Sequence, residues 1–220
     1  MITARACGLL LSDKGFWGGD HNGSIIEALT ISLASIKPDK DLLLGPLNAF
    51  KGHFYDPDTG KNFIGGTNDT ARSNTEKFYS EAKTEYSKTK ISTEFVENVG
   101  KMLHYIQDAN EPHHAANITA LEKKNVHSKF EEYADQHLNE CIDSLTSLGS
   151  AQYTAALSKT PGELVYVGAK VAKGLSANVL DVNNQSLWLN TARTSSRNAV
   201  QYSAVLLYKL SIEAGIPLTK

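Results

Sequence analysis

One stretch of the chain, residues 99–131, concentrates the side chains that could bind a metal ion. It contains four of the seven histidines. His104 and Asp108 are four residues apart, and His127 and Glu131 repeat that spacing. On an α-helix, residues i and i+4 lie on one face about one turn apart, so each pair can present an imidazole and a carboxylate to one metal ion. The stretch therefore predicts two helices that carry metal ligands.

The segment between the two pairs, EPHHAAN, predicts a change of direction. Pro112 blocks continuation of the first helix, so His113 or His114 can reach the cluster from another side. Imidazole nitrogens and carboxylate oxygens are normal zinc ligands, and a catalytic zinc keeps one position open for water. A single His-x-x-x-Asp pair is usually an exposed pair or a hydrogen-bonded histidine, whereas two pairs with an intervening histidine favour a metal site.

Length, charge and hydrophobic patterning indicate an all-α protein with one domain. A chain of 220 residues can bury a sizeable core, and the net charge of −2 argues against a non-specific nucleic-acid binder. No apolar run approaches the length of a membrane span. The only cysteines, Cys7 and Cys141, allow at most one disulfide.

Helical periodicity runs through most of the chain, and the alternation typical of strands is nearly absent. It predicts helices over residues 24–36, 71–88, 93–109, 127–148, 163–180 and 186–214. Ser24 and Glu27 fit a capping box at the start of the first of these. We therefore predict a single-domain bundle of several helices, spanning residues 1–220, with a metal cluster held between the helices.

The quoted stretches resemble a known family. HYIQDANEPHHAANIT (104–119) and HSKFEEYAD (127–135) closely resemble the zinc-dependent phospholipases C of bacteria, and FKGHFYDPDTGKNFI (50–64) matches a second block of that family. The resemblance to the S1/P1 nucleases of the same superfamily is more distant. These blocks cover roughly a quarter of the chain and are specific to the family.

The resemblance implies three zinc ions, or two if the N-terminal site is lost. Asp108 would bridge a close pair of zinc ions. One ion of the pair would take Asp39, His53 and His104, and the third ion would take His114, His127 and Glu131. His113 falls where the family pattern has no histidine, so we expect it to be a neighbour of the site.

The other ion of the close pair would need the N-terminal residues of the family. Its mature chains start with a tryptophan whose amino group and carbonyl bind zinc, and a histidine follows soon after. Trp17 and His21 match this pair only partly, because residues 1–16 precede the tryptophan. Either the chain is cut before Trp17, or this zinc position is altered or lost.

The resemblance also implies a catalytic carboxylate and an aromatic pocket. Asp39 is the better candidate, by its spacing and its preceding proline, for the aspartate that binds zinc and acts as general base, and Asp41 is the alternative. Phe50 and Tyr55 could line a pocket that holds a quaternary ammonium by cation–π attraction, or they could be core residues. The run from Asp56 to Gly60 lacks the full EF-hand spacing, so we expect a turn there.

The leading functional hypothesis is a zinc phospholipase C that cleaves a glycerophospholipid to diacylglycerol and a phosphorylated head group. Zinc lowers the pKa of bound water to about 7, and paired ions can stabilise the entering and leaving oxygens of a phosphoryl displacement. One alternative is an S1/P1-like nuclease acting on single-stranded nucleic acid. Another is a zinc-binding homologue without activity, which loss of the N-terminal ligand would favour.

The same resemblance predicts a secreted protein that touches lipid surfaces peripherally, and we expect a monomer. The N-terminus shows no convincing signal peptide, because the apolar run at residues 6–11 is too short and neither a basic n-region nor a small-residue cleavage site is convincing. Either the protein is not exported, or the chain begins after or inside a removed leader. Nucleic acid would be a partner only under the nuclease alternative.

Overall fold

The computed structural model describes residues 2–17, 21–40, 50–121 and 125–219. In these ranges the regular structure is helical, and β-pairing is limited to the isolated bridges Phe16–Thr219 and Asp56–Lys61. The α-helices are α1 (Ile2–Lys14), α2 (His21–Ala34), α3 (Ala71–Thr89), α4 (Thr93–Asp108), α5 (Pro112–Ala115), α6 (Val126–Gln136), α7 (Leu138–Ile142), α8 (Ser150–Leu157), α9 (Pro161–Leu175) and α10 (Gln185–Ala214). Short 3₁₀ helices cover Pro38–Lys40, Lys51–His53 and Ser176–Val179. The all-α prediction is confirmed.

Local sequence signals start several of these helices. The Ser92 side chain caps α4 by accepting a hydrogen bond from the Phe95 backbone N–H. At the start of α9, Thr160 and Glu163 form a reciprocal capping box around Pro161. At the other end of the chain, Gly215 adopts a φ of 69°, the left-handed conformation that ends α10.

Two sequence predictions about helix boundaries are wrong. Helix α2 begins at His21, so Ser24 lies inside the helix and does not cap it. The helix expected over residues 127–148 is divided at His137, whose Nδ1 donates a hydrogen bond to the Tyr133 carbonyl of the preceding turn. A side chain that bonds to a backbone carbonyl competes with helix continuation, and apolar periodicity does not reveal this competition.

The helices pack around α10 and the pair formed by α3 and α4. Helix α10 contacts α1, α4, α7, α8 and α9, and α4 also packs against α2 and α3. A buried polar network ties four of these helices together. Thr3 donates to Ser35, and the Gln107 amide donates to the hydroxyls of both Thr3 and Ser203.

The framework holds each ligand segment against a rigid helix. Helix α4 presents His104 and Asp108 from a face that is otherwise buried. Pro112 begins α5 directly afterwards, and this short helix packs on α9. The predicted change of direction at Pro112 is confirmed, and it brings α5 back beside the 3₁₀ helix Lys51–His53 through the Tyr55 N–H bond to the His114 carbonyl.

No helix among the described residues is both long and apolar enough to span a lipid bilayer. Cys7 and Cys141 are both free and buried, so no disulfide joins them.

The close approach of α2 to α4 yields a stability prediction. A Cβ added to Gly100 would lie 2.5 Å from the Ala34 Cβ and 2.7 Å from its carbonyl carbon, whereas a Cβ at Gly8 of α1 meets no atom within 4 Å. We expect Gly100→Ala to lower the free energy of unfolding by about 1–3 kcal/mol through overpacking. Gly8→Ala, the matched control, should raise it by up to about 1 kcal/mol through helix propensity. Urea denaturation of both variants measures these changes, and equal effects would contradict the packing argument.

Candidate metal centre

The first ligand group joins α4 to the two 3₁₀ helices that precede α3. The His53 Nδ1 lies 2.8 Å from the Asp108 Oδ2 and 2.9 Å from the His104 Nε2. The His104 Nε2 is 3.1 Å from the same Asp108 oxygen. Asp39 approaches from the side, with its Oδ1 3.5 Å from the His104 Nε2 and 3.8 Å from the His53 Nδ1. Four residues predicted from the sequence thus converge on one point.

The second ligand group joins α5 to α6. The His114 Nε2 lies 3.1 Å from the His127 Nε2, and the Glu131 Oε1 lies 3.0 Å from the His127 Nε2 and 3.3 Å from the His114 Nε2. The i, i+4 spacing of His127 and Glu131 on α6 places both on one face, as predicted. His114, rather than His113, completes this group.

The backbone sets the tautomers of the second group. The His114 Nδ1 donates a hydrogen bond to the His53 carbonyl at 3.1 Å, and the His127 Nδ1 donates to the Ile118 carbonyl at 2.8 Å. A carbonyl can only accept, so each Nδ1 carries a hydrogen, and in the neutral ring the lone pair is on Nε2. Both lone pairs therefore point at each other and at a carboxylate oxygen.

This arrangement is favourable only when a positive charge lies between the three atoms. Ligand atoms about 2.1 Å from a tetrahedral zinc ion are about 3.4 Å apart, close to the spacings found in both groups. The backbone carbonyls that orient His114 and His127 are typical partners of metal-bound imidazoles. By donor chemistry and by spacing, the residues fit zinc.

Without a metal ion, protons bound by the histidines supply part of the positive charge between the ligand atoms. Burial lowers the pKa of the His114 imidazole, but its hydrogen bond to Glu131 and the nearby carboxylates outweigh burial and raise the pKa to about 10. Burial raises the pKa of the Asp108 carboxyl, and the charges of His104 and His53 outweigh it and hold the pKa far below its usual range. Burial also raises the pKa of the Asp39 carboxyl, a shift that the His104 charge partly offsets.

Both groups open into one cavity of about 570 Å³. Its polar walls are ligand side chains from both groups. Its apolar wall is formed by Phe50, Phe54, Phe63, Ala120 and Leu121. The Phe54 ring stacks on the His114 ring with centroids 4.6 Å apart and planes within 4° of parallel. The cavity therefore places an aromatic, apolar surface directly beside the ligand atoms.

Three predicted site residues need separate comment. The Trp17 side chain is fully buried, its ring packs against Phe16 and Phe95, and its indole N–H donates to the Ser211 hydroxyl. The backbone of His21 begins α2, and the position of its side chain lies outside the described part of the structure. Asp41, the alternative to Asp39, also lies outside the described residues.

Of the two residues predicted to line an aromatic pocket, one lines the cavity and the other does not. Phe50 lines the cavity with its side chain partly exposed. Tyr55 requires a correction, because it is buried outside the cavity wall and its hydroxyl accepts a hydrogen bond from Arg72. Successive residues of an extended segment point to opposite sides, so Phe54 faces the cavity and its neighbour Tyr55 does not. The turn predicted at residues 56–60 is confirmed.

Sequence reasoning missed Glu111. Its carboxylate lies close enough to His114 and His127 to form a candidate ligand group with them. Its position directly before Pro112 was the available signal, because a residue before a helix-starting proline is a capping position.

Comparison with known proteins agrees with this geometry. A family model described as zinc dependent phospholipase C matches residues 29–162. The chain is 30% identical to a phospholipase C of Paraclostridium bifermentans over 83% of its own length and 49% of the relative. It is also 30% identical to a phospholipase C of Bacillus cereus, over 71% of its own length and 53% of the relative. The chain thus spans about half the length of these curated relatives.

A solved structure supports the same relationship. The alpha toxin from Clostridium absonum superimposes with a TM-score of 0.83 at 27% sequence identity, over 97% of this chain and 62% of the toxin. The helical arrangement described above is therefore also found in an experimentally determined protein.

The tautomer and charge arrangement predicts how zinc and pH act together on stability. The raised pKa of His114 means that the metal-free protein gains stability from this group below about pH 6.5 and loses it as the pH rises toward about 10. Zinc binding requires the deprotonated ring, so its stabilisation grows in the opposite direction. We expect the increase of Tm caused by zinc to become larger from pH 5.5 to pH 8. Thermal unfolding with zinc and with chelator at each pH tests this, and an increase that does not vary with pH would contradict it.

Proposed function

Since this chain belongs to the zinc-dependent phospholipase C family, we propose that it hydrolyses the phosphodiester bond of glycerophospholipids. The products would be diacylglycerol and a phosphorylated head group such as phosphocholine. The observation that carries the proposal is the shared cavity: two groups of zinc-type ligands open into one space whose remaining wall is aromatic and apolar. An amphiphile with a phosphate needs both surfaces side by side.

The residues that would hold zinc divide between the two groups. Asp39, His53, His104 and Asp108 would hold the first ion, and His114, His127 and Glu131 would hold the second. Bound zinc would supply the positive charge and Lewis acidity that activate water and stabilise a phosphoryl transition state. We propose a third ion on the family pattern, with Asp108 as the bridging ligand and Trp17 and His21 as the further candidates.

The remaining chemistry is assigned to residues of this chain. The Asp39 side chain is 60% exposed and lines the cavity, so water that enters the cavity can reach it. We assign it as the general base that takes the proton of the attacking water as the water oxygen bonds to phosphorus. The bond between phosphorus and the glycerol oxygen breaks, and that oxygen takes a proton from solvent to become the hydroxyl of diacylglycerol. Phe50 and the neighbouring aromatic rings would hold the head group or the first atoms of the glycerol backbone.

The cellular setting follows from the same family membership. We propose a secreted monomer that touches lipid surfaces peripherally. Size-exclusion chromatography with light scattering tests the monomer, and sedimentation with lipid vesicles tests the peripheral contact.

The decisive experiment for the function measures hydrolysis and zinc in one sample. We expect a soluble short-chain phosphatidylcholine to be cleaved, chelator to abolish the activity and zinc to restore it. Asp39→Asn should lower kcat by roughly 10²–10⁴-fold, the usual contribution of a general base. Elemental analysis of the same sample gives the number of zinc ions per chain.

The matched control is Asp41→Asn, since the two carboxylates are two residues apart. Loss of activity in the Asp41 variant alone would assign the base to Asp41 and overturn the role of Asp39. Cleavage of single-stranded DNA without phospholipid cleavage would favour the nuclease, and zinc binding with neither activity would identify a degenerate homologue.

The aromatic wall gives a second kinetic prediction. Phe50→Ala should raise KM for a choline phospholipid by about 2–5-fold, the effect of losing a partly exposed cation–π contact worth about 0.5–1 kcal/mol. Tyr55→Phe serves as the control, because the Tyr55 hydroxyl bonds to Arg72 outside the cavity. Initial rates on choline and glycerol head-group substrates distinguish loss of the cation–π contact from a general loss of substrate binding. Equal KM changes on both substrates would exclude recognition of the ammonium by Phe50.

A further inference from the structure

Glu111 uses both carboxylate oxygens to hold the segment that carries the second ligand group. Its Oε2 accepts a hydrogen bond of 2.8 Å from the His114 backbone N–H, which caps the start of α5. Its Oε1 accepts a hydrogen bond of 2.9 Å from the Nδ1 of His113. One carboxylate therefore fixes the backbone of a zinc ligand and the side chain of the residue before it.

His113 in turn contacts the other histidine of that group. Its ring stacks on the His127 ring with centroids 4.9 Å apart and planes within 4° of parallel, and the Phe130 ring covers it from the side. The Ile118 N–H donates to the His113 carbonyl, while the Ile118 carbonyl accepts from the His127 Nδ1. The orientation of His127 is thus limited by a ring on one face and by a hydrogen bond at its edge.

Packing alone does not explain an imidazole at position 113. The side chain is fully buried, and its Nε2 has no hydrogen-bond partner among the described residues. A buried unpaired nitrogen costs free energy, so a phenyl ring would fill the same space at lower cost. What the imidazole has and the phenyl lacks is the Nδ1–H that binds Glu111.

With Glu111 counted, each of the two ligand groups has two carboxylates near its two imidazoles. The first group contains two carboxylates, Asp39 and Asp108, with two imidazoles. The second contains two imidazoles but only one carboxylate that touches both of them, Glu131. Glu111 supplies the second negative charge near the same histidines, and two carboxylates balance the charge of one divalent cation.

We propose that Glu111 and His113 form a positioning pair for the second zinc site, holding His114 through its backbone and His127 through ring stacking. Zinc itself would be bound by His114, His127 and Glu131. The pair acts on zinc only through these ligands and through its charge. The proposal rests on the zinc binding that is part of the proposed function.

The test measures zinc affinity rather than hydrolysis. Glu111→Gln keeps an oxygen for the cap but removes the charge, and His113→Phe keeps the stacked ring but removes the Nδ1–H. We expect each variant to weaken zinc binding at the second site by about 10–100-fold, the usual effect of removing a partner that orients a metal ligand. Zinc release to a chromophoric chelator is measured step by step, and the step that His127→Ala abolishes identifies the second site.

The double variant tests whether the two residues act as one unit. If they do, Glu111→Gln combined with His113→Phe weakens zinc binding no more than the stronger single variant. If the losses of zinc affinity in the two single variants multiply in the double variant, the residues contribute independently and the proposed pair is wrong. His137→Phe is the matched control, because His137 also stacks on an aromatic ring and bonds through Nδ1, but outside both ligand groups.

Two outcomes would overturn the proposal outright. One is an unchanged release curve for Glu111→Gln, which conserves volume and so gives a result even if His113→Phe does not fold. The other is an equal loss of Tm with and without zinc, because a structural role lowers both values alike while a positioning role reduces the increase caused by zinc. Zinc binding without phospholipid hydrolysis would reject the proposed function and leave this inference standing.

Discussion

The hydrogen bond from the His114 Nδ1 to the His53 carbonyl is the constraint on which the site depends. It joins a residue of one ligand group to the backbone of a residue of the other. The same two segments are joined again by the Tyr55 N–H, which donates to the His114 carbonyl. Through these two bonds, a 3₁₀ helix before α3 and a four-residue helix after α4 hold both groups at the wall of one cavity. They add to the short connection from Asp108 to His114, which ties the two groups together along the chain.

The surrounding helices keep this junction rigid by burial rather than by local propensity. Helix α4 supplies His104 and Asp108 while its apolar side chains fill the core, and α10 and α9 close the bundle behind it. A helix of four residues such as α5 is too short to be stable alone. Its stability comes from Pro112, from the Glu111 cap and from packing on α9. The helix that carries His114 thus depends on its surroundings for its stability.

The site places several lone pairs and carboxylates close together, which costs free energy. The imidazole nitrogens of His114 and His127 face each other at 3.1 Å with the Glu131 carboxylate beside them, and the Asp108 carboxylate lies 3.1 Å from the His104 imidazole. Protons relieve this in the metal-free protein, and a bound zinc ion would relieve it at the same place. The aromatic wall beside these charges gives one cavity both an ionic and an apolar surface, the combination that the proposed phospholipid substrate would need.

The sequence by itself determined the all-α class, the helices that carry the i, i+4 pairs and nearly all ligands of the two described groups. Those inferences depend on short-range spacing and on the family blocks, both of which can be read along the chain. Only the tertiary structure decided the burial of Trp17, the division of the helix at His137 and the exclusion of Tyr55 from the cavity. It also stacked the His113 ring, expected from the sequence only as a neighbour of the site, on the His127 ring. Each of these depends on contacts between residues distant in sequence, or on competition between a side chain and the backbone, and neither leaves a periodic trace in the sequence.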